Sequence, residues 1–135
     1  MDLVKALAVS AAGMQTQGTR LRVISENLAN AQSTAQTPGG EPYRRKVVSF
    51  RNELDRAVGV ETVQVDRVAR DPSQFERRYD PGHPAADEDG YVLLPNVKPM
   101  IELMDMREAQ RSYEANLNVL TAARSMLLRT IDLLR

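Results

Sequence analysis

From Lys98 to the C-terminus, apolar residues recur every third or fourth position: Leu103, Met106, Tyr113, Leu117, Leu120, Leu127, Ile131 and Leu134. Gln110 and Arg124 are the polar exceptions on the same line. This alternation is the seam of a helix that packs lengthwise against other helices. No glycine or proline follows Pro99. Glu102, Asp105, Glu108 and Glu114 come early and Arg124, Arg129 and Arg135 late, the order that the helix dipole favours. Asn96 is the predicted N-cap, and a proline at position 99 is tolerated in a first turn. At ~1.5 Å per residue this helix is ~57 Å long. A compact domain of this chain length has a radius of gyration of ~14 Å, hence a diameter of ~36 Å. The helix is therefore predicted to project, and a projecting apolar seam is a surface for a partner.

A second seam opens the chain. Leu7, Met14, Leu21 and Leu28 fall seven apart, and Leu3, Ile24 and Ala31 continue a second line interrupted by Ser10 and Gln17. The pattern predicts a heptad helix over residues 2–32, rich in small residues such as Ala6, Ala8, Ala11, Ala12 and Gly13. Gly13 and Gly18 weaken it, since an interior glycine costs ~1 kcal/mol against alanine. Such a helix needs packing to persist in water.

All seven prolines, and five of the six aromatics (Tyr43, Phe50, Phe75, Tyr79 and Tyr91), lie between residues 33 and 99. Residues 33–42 read as loop. Tyr43–Phe50 and Val60–Val68 read as strands, Arg51–Val58 as a helical turn, and Gln74–Tyr79 and Tyr91–Leu94 as short strands around a turn cluster at Asp80–Gly90. The predicted fold is mainly α with a small β-rich insert: 1–32 and 98–135 form one antiparallel coiled-coil domain of an elongated protomer, and 33–97 is the insert.

Formal net charge is zero, which argues against a nonspecific nucleic-acid binder. The absence of cysteine excludes disulfides, thiolate metal sites and cysteine nucleophiles. The first residues do not make a secretory signal, because Asp2 sits in the n-region and the apolar run is short. No run approaches the ~20 apolar residues of a membrane span. Export from the cytoplasm would need a route other than a cleaved general signal.

The stretch most suggestive of chemistry is Asp80–Gly90, where the sole histidine, His83, is flanked by Asp80, Asp87, Glu88 and Asp89. An EF-hand loop with Gly90 at its sixth position would start at Ala85 and end at Asn96, so the bidentate acid is missing. Zinc lacks a second histidine or a cysteine. Tight turns set by Pro81-Gly82, Pro84 and Asp89-Gly90 account for the residues without chemistry. No phosphate loop or nucleophile elbow is present. No cofactor and no catalytic group are expected. Arg44, Arg45, Lys46 and Arg51 make a basic patch that reads as a solvated strand face, a nucleic-acid contact, or the positive half of a protein contact; the acids of the Asp87–Asp89 turn are a candidate counterpart, in the same or a neighbouring subunit. Gln110 and Arg124 are candidates for fixing helix register.

Three readings follow from these residues. They are an assembly protein whose ends order in a polymer, a self-contained helical adaptor, and a metal enzyme around His83.

Three stretches together resemble the bacterial flagellar axial proteins, and within them the rod proteins of the basal body. Residues 10–34, SAAGMQTQGTRLRVISENLANAQST, are similar to the family's N-terminal signature, with Asn27, Asn30 and Ala31 its most recognisable positions. PYRRKVVSF (42–50) and YDPGHPAADEDGYVLLPNV (79–97), including His83, Gly90 and Tyr91, resemble a rod component of the proximal segment. MDMREAQRSYEANLNVL (104–120) contains the RSYEAN core, with Arg111, Tyr113, Glu114 and Asn116. The family pattern often has lysine where Arg124 stands. The resemblance implies a structural subunit that leaves through the flagellar type III export apparatus and builds a torque-transmitting rod across the periplasm. It implies contacts with further copies of itself, other rod proteins, and membrane-ring and export-apparatus components. Terminal helices would line the axle, and the seam of Leu7, Met14, Leu21, Ile24, Leu28, Leu103, Met106, Tyr113, Leu117, Leu120, Leu127 and Ile131 would pack between subunits.

Overall fold

A computed structural model describes residues 2–135. Two helices flank a small β region: α1 (Leu3–Ala29), β1 (Lys46–Asp55), β2 (Val60–Arg70), β3 (Glu76–Tyr79), β4 (Tyr91–Leu94) and α2 (Pro99–Leu133). The sheets are two separate two-stranded ribbons, β1-β2 and β3-β4. The chain divides into two compact units. One comprises the chain up to Leu21, Val48–Arg67 and Arg107–Arg135; the other comprises Arg22–Val47 and Val68–Met106.

The helix ends differ from the predicted ones for local reasons. α1 starts at Leu3 because Asp2 Oδ1 accepts the Val4 amide at 3.0 Å, an N-cap. It stops at Ala29, three residues short of the predicted end. Asn30 Nδ2 donates to the Glu26 carbonyl at 2.9 Å, and Asn30 Oδ1 accepts the Ser33 hydroxyl at 3.0 Å, satisfying the last turn. α2 starts at Pro99, where a missing N–H costs nothing. Its cap is not Asn96. The Lys98 carbonyl accepts the Ile101 and Glu102 amides at 3.0 and 3.1 Å, while the Asn96 side chain is used elsewhere.

In the first unit, α1 and α2 meet through small residues. A Cβ placed on Gly13 would lie 2.7 Å from Asn116 Nδ2, so a glycine there lets the helices approach. Arg20 pairs with Glu108 at 3.3 Å. Ala109 and Ala123 are fully buried on α2, and Ser10, Gly13 and Thr16 are buried on α1. The predicted helical turn at Arg51–Val58 is mostly strand: β1 runs to Asp55. Arg51 and Glu53 pair at 3.0 Å, and side chains two apart share a face in a strand but not in a helix. Arg51 also reaches Asp66 across the ribbon at 4.0 Å. Gly59 closes the turn with φ +70° and donates its amide to Asp55 at 2.7 Å.

In the second unit, β3 and β4 pair antiparallel from Glu76↔Leu94 to Tyr79↔Tyr91. Tyr79 and Tyr91 stack edge to face at 5.4 Å. Val23, Ile24, Val92 and Val97 supply the buried apolar side chains of this unit. The turn cluster at 80–90 forms as predicted, ending at Gly90 with φ +84°.

Along α2, the inward line is Glu102, Ala109, Asn116 and Ala123, seven apart, flanked by half-buried Met106, Tyr113, Leu120 and Leu127. Leu103, Gln110, Leu117, Arg124 and Ile131, the other half of the predicted line, face solvent. On α1, Leu7, Met14, Leu21 and Leu28 are half-buried and Ile24 is buried.

The two helical glycines are expected to respond oppositely to substitution. Nothing lies within 4 Å of a Cβ at Gly18, so Gly18→Ala is expected to stabilise by ~0.5–1 kcal/mol. Gly13→Leu is expected to destabilise by ~1–3 kcal/mol by overpacking against Asn116. Urea midpoints of the two variants check both signs.

Candidate functional site

The densest arrangement of polar groups is at the root of β1, wholly within the second unit. Asn27, on the last turns of α1, is 1% exposed. Its Oδ1 accepts the Lys46 amide at 2.9 Å and the Tyr43 hydroxyl at 2.8 Å. Its Nδ2 donates to the Lys46 carbonyl at 2.9 Å and to Glu102 Oε2 at 3.3 Å. One side-chain amide thus satisfies both backbone groups of Lys46, as a neighbouring strand would. The adjacent residue is held in the same way: the Arg45 amide donates to Asn96 Oδ1 at 2.7 Å and its carbonyl accepts the Asp71 amide at 2.8 Å. Asn96 Nδ2 donates to the Asp71 and Ser73 carbonyls at 3.2 and 3.3 Å.

Glu102 sits in the first turn of α2 and has no exposed surface. Its Oε1 accepts Arg45 Nε, and Arg45 also reaches Asp71 Oδ2 at 3.4 Å and Asp105 Oδ2 at 3.6 Å. Burial opposes the Arg45 charge, but Glu102 and Asp71 outweigh it and hold the guanidinium above its ordinary pKa. Asp71 is held below the usual carboxylate range by the Ser73 backbone and hydroxyl, then by Arg45. Glu26 is lowered by the Lys46 ammonium at 2.9 Å. Tyr43 is raised, mainly by burial.

His83 is fully engaged. Its Nδ1 accepts the Ala85 amide at 3.0 Å, which leaves the ring proton on Nε2, 3.1 Å from Thr34 Oγ1. Asp87 Oδ1 accepts the Asp89 and Tyr91 amides at 3.1 and 2.8 Å, and its Oδ2 pairs with Arg77 at 3.1 Å. The Tyr91 amide is the leading cause of Asp87's lowered pKa. These are turn-stabilising contacts. Among the described residues, no three His, Asp or Glu side chains stand close enough together to hold a metal ion. No helix among them is long and apolar enough to cross a membrane.

The basic patch is dispersed into ion pairs and stacking. Arg44 lies 4.2 Å over the Phe75 ring and donates to the Asp71 carbonyl at 2.9 Å. Lys46 pairs with Glu26 and Arg51 with Glu53. Within the chain the Asp87–Asp89 turn does not meet the patch, since Asp87 is bonded to its own turn and to Arg77. Of the family positions, Asn27 is in the node and Asn30 caps α1. Asn116 packs on Gly13 and donates to the Ser112 carbonyl at 3.0 Å. Tyr113 is half-buried, Arg111 and Glu114 are exposed, and His83, Gly90 and Tyr91 build the turn. Glu102 and Arg45 were legible only as a dipole partner and a strand-face base. A Glu one step off an apolar seam was the sole signal for the node.

The polar node ties helix ends to a strand root and offers no catalytic constellation of its own, and α2 bears an exposed apolar flank, features that fit a structural protein. Comparison with known proteins identifies which kind. The family described as "Flagellar basal body rod FlgEFG protein C-terminal" matches residues 88–133. The chain is similar to the flagellar basal-body rod protein FlgC of Agrobacterium fabrum, at 52% identity over 100% of this chain and 98% of that protein. It is 39% identical to FlgC of Salmonella typhimurium, covering 98% of each chain. It is 36% identical to FlgC of Borreliella burgdorferi, over 100% of this chain and 99% of that one. The chain belongs to the flagellar basal-body rod protein FlgC family: it is a structural component of the bacterial flagellum, located in the basal body, and not an enzyme.

The lowered carboxyls make stability sensitive to acid. Asp71, Asp87 and Glu26 have folded pKa values below their unfolded ones, so their contribution is present at neutral pH. It is lost as pH falls through the folded values. Urea midpoints are expected to fall below the ordinary carboxylate range, and Asp87→Asn to flatten that fall.

Proposed function

We propose that this chain is a subunit of the proximal rod, polymerising with further copies of itself and with other rod proteins into the torque-transmitting drive shaft. It reaches the periplasm through the flagellar type III apparatus and contacts membrane-ring and export-apparatus components. Residues 1–32 and 98–135 act as one axial helical domain, an antiparallel coiled coil, with 33–97 as its insert. Support for the antiparallel pairing lies in the first unit: as α1 advances from Gly13 to Arg20, the partner on α2 falls back from Asn116 to Glu108.

The observation that carries the assembly reading is the apolar flank left over on α2. Leu103, Leu117 and Ile131 are 45, 41 and 45% exposed, one position beyond the inward line of Glu102, Ala109, Asn116 and Ala123. Half-buried Met106, Tyr113, Leu120 and Leu127 lie between the two lines, so α2 has two adjoining faces. Leu128, Leu133 and Leu134 extend the exposed apolar surface to the end of the chain. Full burial of one such side chain is worth ~1.5–3 kcal/mol, so a neighbour that covers the flank gains a driving force repeated along the helix. The seam of Leu7, Met14, Leu21, Ile24 and Leu28 on α1 joins the same packing.

Leu117→Asp is expected to abolish swimming while leaving cellular levels of the protein unchanged. Asn118→Asp, one residue on and also exposed, is expected to swim normally. Soft-agar motility with immunoblotting checks both; normal swimming of Leu117→Asp refutes the reading.

A further inference from the structure

From Arg107 onward α2 belongs to the first unit, and this stretch carries two outward apolar lines. Leu117, Leu128 and Ile131 form one. Val119 and Met126, each 50% exposed, form the other, and the exposed Ala115 and Ala122 widen it. Leu117 and Val119 are two positions apart, and so are Met126 and Leu128. Side chains two apart on a helix point ~200° apart, so the lines look to opposite sides of α2. Neither is the inward side, which the buried Ala109 and Ala123 occupy. The two sides also differ in shape: one is all large branched side chains, while alanines leave hollows in the other.

Charge distinguishes the sides as well. Glu114 and Asp132 border the leucine side, three and four positions from Leu117 and Leu128. Arg111 and Arg129 border the other side, four and three positions from Ala115 and Met126. The spacing from Arg111 to Arg129, and from Glu114 to Asp132, is five whole helical turns, so the two arginines stand in line and the two acids do likewise. All four are exposed, and among the described residues none of them is paired. Pairing either side with its own kind brings acid beside acid or base beside base, which is repulsive. Setting the leucine side of one copy against the Val119 side of a second brings Glu114 to Arg111 and Asp132 to Arg129 of the second copy. One offset of three residues, ~4.5 Å along parallel helices, meets both pairs. The same offset sets Leu128 level with the gap between Ala122 and Met126 of the second copy, a large side chain against a hollow.

We propose, on the assembly reading of the preceding subsection, that α2 is a two-sided joint occupied by second copies of this chain. Parallel α2 helices lie side by side, the Leu117–Ile131 side of each against the Val119–Met126 side of the next. The contact is heterologous, so it extends a row and does not close as a pair. Apolar burial supplies the attraction. Exposed ion pairs are worth only ~0.2–1 kcal/mol each, and they act by choosing which side meets which. Arg124 stands at the margin of the leucine line away from Glu114 and Asp132 and takes no part.

The chain contains no cysteine, so engineered ones report this contact. Ala122→Cys and Leu128→Cys in one chain are separated by ~9 Å of helical rise, beyond the reach of a disulfide within one helix. Oxidised basal bodies holding this double variant are expected to yield a ladder of linked dimers, trimers and higher multimers, and either single variant only monomer. Arg111→Glu with Arg129→Glu in the same background is expected to cut the ladder about tenfold, the change that ~1.4 kcal/mol of lost preference produces. Adding Glu114→Arg with Asp132→Arg is expected to restore it. Dimers in a single-cysteine variant mean a two-fold contact and overturn the proposal. So does a ladder indifferent to the charge reversals. Should no ladder form, an amine cross-linker applied to the same particles separates the two ways of failing. Linked copies without the ladder mean that copies touch by other faces, which overturns this contact alone. No linked copies at all removes the reading that copies of this chain assemble with one another.

Discussion

The buried carboxylate of Glu102 is the constraint on which the second unit depends. A charge with no exposed surface is tolerable only if donors surround it, and here they come from two different elements: the Arg45 guanidinium at the root of β1 and the Asn27 amide near the end of α1. Each donor is itself fixed. Asn27 is bonded to the Lys46 backbone, and Arg45 is bracketed by Asn96 and Asp71. The result is a closed network in which a long loop from Ala29 to Lys46, and the chain leaving β2 at Arg70, are anchored without a sizeable apolar core. That economy matters in a chain with no tryptophan and six aromatics, whose core side chains are mostly valine, isoleucine and alanine.

The first unit solves a different problem. Its helices approach through glycine, alanine, serine and threonine, so little apolar surface is consumed where they meet. The larger side chains are left at the edges of the contact or beyond it. On α2, Ala109 and Ala123 are buried while Leu117 and Ile131 are exposed, so its larger apolar side chains are not consumed where the helices meet.

Several predicted features were legible because they depend on local chemistry. β4 has the predicted ends, β2 starts where its alternation starts, and Pro99 opens α2 because proline fits a first turn. The strand extension over Arg51–Asp55 was missed because charged residues on an exposed ribbon carry no apolar alternation. Its pairing with β2 and the Arg51–Glu53, Arg51–Asp66 and Thr62–Glu53 contacts reveal it. Asn96 was misread as a cap because asparagine serves caps and backbone brackets equally well. The line of α2 that packs within the protomer, Ala109, Asn116 and Ala123, was not legible, since periodicity measures the spacing of apolar residues and not which face the neighbouring helix occupies.

The sequence by itself determined two heptad helices around a small β-rich insert, and membership of the flagellar rod proteins through motifs spread over nearly its whole length. The helices and the insert follow from residue spacing and from turn chemistry, which act within a few positions along the chain, whereas the membership rests on the resemblance of those motifs. Tertiary structure alone decided that Glu102 and Arg45 are partners, that Asn27 stands in for a strand, and that Leu103 and Leu117 face outward while Ala109 and Ala123 face in. The physical reason is that burial and pairing join residues far apart in sequence: Asn27 meets Glu102 across 75 positions, and no local pattern carries that distance.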